Sequence, residues 1–116
     1  EFFVISKEAL NRRPDLLHCG RTVLGAPPAR GQQTDGNYFG RIPNAVARYL
    51  EAVQKEMWLL GIPMVTYHNE VAPGQHELSP IFQVSNVAVD QNQVCMELMY
   101  DLAERHDLAV LFHEKP

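Results

Sequence analysis

The sequence predicts an α+β fold, a mainly antiparallel sheet with two helices on one face in the order β, long loop, α, β, β, α, β. Three observations carry that expectation. Two stretches, 43–60 and 85–102, repeat apolar residues at intervals of three and four, the period of a helix. Four shorter stretches are rich in β-branched, aromatic and aliphatic residues, as strands are. Pro73-Gly74 then joins two of those strands by a turn, a connection that antiparallel neighbours allow and parallel ones do not.

The first strand is read at 1–6, where Phe2, Phe3, Val4 and Ile5 adjoin; Lys7 to Asn11 could open a helical turn. The next segment, 12–42, holds Pro14, Pro27, Pro28 and five of the seven glycines, too much punctuation for long regular elements. It is read as one long loop. A loop beyond roughly 12 to 15 residues is uncommon in a compact domain unless it has a partner surface or a function. From Pro43 the residues Val46, Leu50, Val53, Met57 and Leu60 form one face of an amphipathic helix that stops at Gly61. Ile62-Pro63 forces an extended exit into a strand at 64–70, with Met64, Thr66, His68 and Glu70 on one face and Val65, Tyr67 and Asn69 on the other. After the turn, Leu78, Pro80, Phe82 and Val84 alternate with Glu77, Ser79, Ile81, Gln83 and Ser85 and are expected to face the core, Pro80 marking an edge or a bulge. Ser85 or Asn86 can cap the second helix, whose stripe is Val87, Val94, Cys95, Leu98, Met99 and Leu102; 108–112 is a buried strand.

Composition narrows the functional classes. With 116 residues, 46% hydrophobic and 21% charged, the chain can bury a real core, so disorder is not expected. The longest apolar runs, 57–60 and 108–112, fall far short of the roughly 20 residues of a membrane helix, so no membrane partner is expected. Fourteen acids against ten bases, net −4, with no cluster of Lys or Arg, argue against nucleic acid. Cys19 and Cys95 lack the spacing of a metal knuckle or redox pair and read as reduced thiols in a cytoplasmic compartment.

The chemically informative stretch is His68-Asn69-Glu70-Val71-Ala72-Pro73-Gly74-Gln75-His76-Glu77. If the two strands pair, Glu70 and Glu77 meet at the mouth of the hairpin, and like charges opposed across a ladder need an offset. No Lys or Arg lies between Gly61 and Glu97. The offset is then solvent or a hard cation such as Mg²⁺ or Mn²⁺, which carboxylate oxygens and water suit. His68 and His76 could also bring zinc, but no closed tetrahedral ligand spacing accompanies them. The glycine-rich segment 31–40 contains neither G-x-G-x-x-G nor a phosphate-loop lysine. His18, His106 and His113 read as surface, helix-end and strand residues, and Met57, Met96 and Met99 as core filler.

At Glu70-Val71-Ala72-Pro73-Gly74-Gln75-His76-Glu77 the sequence resembles the metal-binding hairpin of glutamine synthetase, and the resemblance spans essentially the whole chain. Glu1-Phe2-Phe3 resembles the end of that family's E-x-E-[FY] strand, and 110–116 the strand that leads into its N-G-S-G-x-H motif. Arg21-Thr22-Val23-Leu24-Gly25-Ala26, Tyr38-Phe39-Gly40 and His113-Glu114-Lys115-Pro116 look like the large type III branch. The resemblance implies part of a catalytic domain, 1–116, incomplete at both ends, from a cytoplasmic ligase. That ligase joins glutamate and ammonia, with ATP as co-substrate, through γ-glutamyl phosphate, and assembles as hexameric rings.

Carried over residue by residue, Glu1, Glu70 and Glu77 match the glutamates of the Mg²⁺ or Mn²⁺ site nearer the substrate glutamate. No catalytic residue is carried over, the ligands of the second ion fall outside the chain, and the isolated segment is expected to be inactive. Val65 stands where type I enzymes have an ATP-contacting glutamate, which leaves His68 as the one candidate near the nucleotide. The same likeness has the long loop projecting toward the ring axis and poorly ordered in isolation. A bound divalent ion would bring the net charge near −2. The alternative reading is a non-catalytic α+β domain, diverged from this family, that binds a metal or a partner.

Overall fold

A computed structural model describes residues 1–113; the Glu114-Lys115-Pro116 part of the branch motif lies outside them. The elements are β1 (Phe2–Ser6), α1 (Lys7–Asn11), α2 (Pro14–Cys19), a single 3-10 turn (Gln33–Asp35), α3 (Asn44–Leu59), β2 (Met64–Asn69), β3 (Gln75–Pro80), α4 (Ser85–Arg105) and β4 (Leu108–Leu111). The strands form one sheet in the order β2-β3-β1-β4, antiparallel at every pairing. One face of the sheet contributes Phe2, Val4, Met64, Leu108 and Val110 to the core. Onto it pack Val46, Tyr49, Leu50, Val53 and Met57 of α3 and Cys95, Met99, Leu102 and Ala103 of α4. The α+β expectation, with two helices on one face of an antiparallel sheet, therefore holds.

The helix read from Pro43 is α3, and its stop is built as expected. Gly61 takes φ +76°, its N–H donates to the carbonyl of Trp58, and the N–H of Ile62 reaches back to Met57. This is a Schellman cap, and Ile62 and Met57, the two residues it ties together, both sit in the core. Leu60, read as the last stripe residue, is 57% exposed because the chain has left the helix there. Nothing lies within 4 Å of where a Cβ on Gly61 would stand, so an alanine there meets only the backbone penalty of the left-handed region. Gly61→Ala is expected to lower stability by about 1 kcal/mol, read as a reduced urea midpoint at unchanged slope.

Four sequence expectations are corrected. Residues 12–42 are not all loop. Pro14 opens α2, and Gly20, at φ +66° with its N–H on the Leu16 carbonyl, closes it, so a proline and a glycine that read as breakers bracket a short helix instead. Lys7 to Asn11 does form a helical turn, with the Ser6 hydroxyl accepting from the N–H of Ala9.

In β2 the register slips between Met64 and Thr66, where Met64 pairs with Pro80 and Thr66 with Ser79, leaving Val65 as the extra residue. That bulge moves Met64 from the face of Thr66 and His68 to the core face shared by Tyr67 and Asn69. Pro80 accordingly sits at a bulge, and β3 is an interior strand rather than an edge. β3 also ends at Pro80, so Phe82 is 93% exposed and Val84 is exposed, not in the core.

The fourth correction concerns α4. Val84, not Ser85 or Asn86, occupies the cap position, and no side chain caps the helix. Of its stripe only Cys95, Met99 and Leu102 are buried, and Val94 is exposed. At 1.5 Å per residue the 21-residue helix is roughly 31 Å long, and only its C-terminal half reaches the packed core. Cys95 lies in that half, where burial pushes its thiol up to about 11; Cys19, at the end of α2, is exposed. Among the described residues no helix is long and apolar enough to cross a membrane.

Candidate metal centre

The β2–β3 hairpin builds the site. Its turn runs from Glu70 to Gly74, held by the N–H of Glu70 on the Gln75 carbonyl and by Gly74 at φ +71°, a conformation that glycine adopts without strain. The register pairs His68 with Glu77 and Asn69 with His76. Glu70 lies two residues beyond His68 on the same face. The two carboxylates are thus diagonal neighbours rather than directly opposed, and the residue facing Glu77 is His68.

Three donors converge on that face. His68 Nε2 is 3.1 Å from Glu70 Oε1 and 3.6 Å from Glu77 Oε1, and one ligand atom from each of the three residues lies within 4.8 Å of the others. All three side chains are partly buried. The Ser79 hydroxyl donates to Glu77 Oε1 at 3.1 Å and fixes that carboxylate from the neighbouring position on its own face. No Lys or Arg forms an ion pair with Glu70 or Glu77 among the described residues. The donor set fits a divalent cation: adjacent ligands of a six-coordinate ion with oxygens at about 2.1 Å are about 3 Å apart, close to the spacing found here.

The long loop supplies one wall. Asn37 Nδ2 donates both to the Val71 carbonyl, at 2.9 Å, and to the Gly31 carbonyl, at 3.0 Å, while Asn69 Nδ2 donates to the Gly40 carbonyl at 2.9 Å. These bonds fasten 31–40 to the hairpin, and the Tyr38 ring stands edge-on to His68 with centroids 5.6 Å apart. Asn37 thus reaches a hairpin carbonyl from the loop, and Asn69 a loop carbonyl from the hairpin. Asn37, Tyr38 and Asn69 were not among the residues singled out for the site. Besides the loop's length, the aromatic pair Tyr38-Phe39 inside a glycine-rich segment is a signal that the loop has a surface to meet.

The other sequence candidates fall elsewhere. His76 is on the opposite face from His68, buried beside the Phe2 ring, so the two histidines do not share a site. Its burial pushes its pKa down to about 4 and keeps the ring neutral. Extending the β1–β3 register one residue beyond the Phe2–His76 pair puts Glu1 across from Glu77. Glu1 is exposed, and its carboxylate is not one of the three clustered donors.

A family model for the glutamine synthetase catalytic domain matches residues 1–116. The chain belongs to this family. It is 50% identical to a glutamine synthetase of Butyrivibrio fibrisolvens over its full 116 residues, which make up 17% of that protein. It is also 48% identical to a glutamine synthetase of Bacteroides fragilis and 45% identical to a type-3 glutamine synthetase of Dictyostelium discoideum, again over its whole length and 16% of theirs. This glutamine synthetase segment therefore spans about a sixth of the relatives it matches, and the hairpin that carries His68, Glu70 and Glu77 lies inside the matched catalytic domain.

Proposed function

We propose that the chain is a segment of the catalytic domain of a type III glutamine synthetase, in which Glu70 and Glu77, together with Glu1, hold a Mg²⁺ or Mn²⁺ ion. The observation that carries this reading is the pair of glutamates brought together without a basic partner in a chain that matches the catalytic domain along its whole length. The relative named a type-3 enzyme supports the branch. A bound divalent ion supplies charge neutralisation where a carboxylate, a phosphoryl group and a nucleophile must meet.

The chain's own contribution is to position. The hairpin sets Glu70 and Glu77 on one face, Ser79 orients Glu77, and the docked loop walls the cluster with Tyr38. The complete enzyme, on this reading, is a cytoplasmic glutamate–ammonia ligase that uses ATP, passes through γ-glutamyl phosphate and works as hexameric rings. Substrate and nucleotide contacts come from parts of the protein outside these 116 residues, with His68 a candidate neighbour of the nucleotide.

The test is glutamine formation by the protein that carries this segment in its native flanks. ATP-dependent conversion of glutamate and ammonia to glutamine is expected, followed as phosphate release and as glutamine by chromatography, with no turnover from the 116 residues alone. A full-length protein that takes up Mn²⁺ yet makes no glutamine would favour the non-catalytic alternative.

A further inference from the structure

Behind the hairpin, on the helix-facing side of the sheet, the docked loop and the start of α3 line a half-open cavity of about 370 Å³. Its lining includes Arg30, Arg41, Asn37, Asn69, Gln75 and His76. Three features set it apart from an ordinary packing gap.

The first is unpartnered polar atoms on two residues of its wall. Gln75 and His76 are each 4% exposed, and Gln75 Nε2 and His76 Nδ1 are buried with no hydrogen-bond partner. A buried amide N–H₂ without an acceptor costs on the order of 1 to 3 kcal/mol, so a native fold that keeps one has a use for it or holds something against it.

The second is charge. Arg30 and Arg41 both line the cavity, and neither guanidinium pairs with a carboxylate among the described residues. Each is tethered by one hydrogen bond among the described residues, Arg30 Nη1 to the Gly36 carbonyl at 3.3 Å and Arg41 Nη2 to Asn44 Oδ1 at 2.8 Å, which leaves most of the fork's five N–H donors for a ligand.

The third is position. Glu70 is the one acidic residue in the wall, and it is engaged on the other side by His68.

From these features we infer that the cavity is a binding site for a small oxyanion, a phosphate or carboxylate group of a metabolite, held by Arg30 and Arg41, with the buried Gln75 in its wall reporting its occupancy. It shares Glu70 with the metal cluster but does not require the ion, since the Glu70 carboxylate is engaged on the opposite face by His68. The volume admits a molecule rather than a bare ion, at the small end of ligand pockets. No local motif marks it: 31–40 lacks a phosphate-loop signature, and Arg30 and Arg41 flank a loop that Asn37 and Asn69 hold against the hairpin.

The test uses the chain stripped of metal and dialysed free of chelator at low salt, so that no divalent ion reports for the anion, with inorganic phosphate in one arm and succinate in the other. The side-chain amide signals of Gln75 in a ¹⁵N spectrum are followed through each titration. Saturable shifts of those signals are expected in at least one arm, and the arm with the tighter midpoint assigns phosphate or carboxylate as the preferred group. Arg30→Gln with Arg41→Gln should weaken that midpoint tenfold or more, both side chains being exposed enough to leave folding intact. Glu70→Gln with Glu77→Gln should bind the anion at least as tightly, while losing the metal, so failure of one site is distinguishable from failure of the other. No saturable shift with either probe, or wild-type affinity in the double arginine variant, overturns the inference.

Discussion

Replacing Glu70 and Glu77 together by glutamine is expected to weaken Mn²⁺ binding at least about 100-fold while leaving the metal-free chain no less stable than before. The two halves of that expectation have one cause. Without an ion, the two carboxylates share a half-buried face and repel each other, relieved among the described residues by His68 and by the Ser79 hydroxyl. Glutamine keeps an oxygen for Ser79 and removes the repulsion. With an ion, the same two charges are the main attraction, and losing both should exceed the 10- to 100-fold effect of disturbing a ligand's outer support.

The experiment reads both states. Free Mn²⁺ is counted by electron paramagnetic resonance across a titration, and thermal midpoints are taken with and without metal. At a Mn²⁺ concentration 100 times the dissociation constant, wild type gains about 2.7 kcal/mol, or roughly 10 °C for a chain of this size. The variant should gain almost nothing. Equal metal-dependent shifts in the two proteins would remove Glu70 and Glu77 from the ligand set.

The second large effect is expected in the core. Tyr49→Ala should cost about 3 to 5 kcal/mol, a large share of the 5 to 15 kcal/mol that holds a typical domain together. Tyr49 has no exposed surface, lies at the contact of α3 with α4, and donates its hydroxyl to the Met99 carbonyl at 2.9 Å. Burial also raises its pKa, so the phenol stays protonated and able to donate. Tyr49→Phe separates the contributions: it keeps the ring and loses only the bond, and should cost about 1 kcal/mol. Urea titrations of both variants check this. Similar losses in the two would mean that the hydroxyl, not the ring, carries the contact between the helices.

Tyr49 also marks a limit of reading this fold from its sequence. The periodicity of Val46, Leu50, Val53 and Met57 located α3, since a 3.6-residue repeat of apolar side chains has one structural solution. Tyr49, adjacent to Leu50 on the same face, did not enter that stripe because its hydroxyl counts as polar until a partner such as the Met99 carbonyl is in reach. Met64 failed in a related way. Alternation assigns faces correctly only while pairing is continuous, and the extra residue at Val65 exchanged them. Phe82 and Val84 continued an alternating pattern beyond the point where any neighbouring strand remained to pair with.

Determined by the sequence alone were the α+β class, the helix that Gly61 ends, the hairpin, and the two glutamates that its turn brings to one face. All of these follow from local rules: side-chain period, turn chemistry, and the number of residues between Glu70 and Glu77. The tertiary structure decided which residue faces Glu77, on which side of the sheet each histidine falls, and that 31–40 docks on the hairpin through Asn37 and Asn69 to wall one site and line another. Those outcomes depend on contacts such as that between Asn37 and Val71, 34 positions apart, whose formation no local pattern records because neither residue carries any trace of the other until the chain has folded.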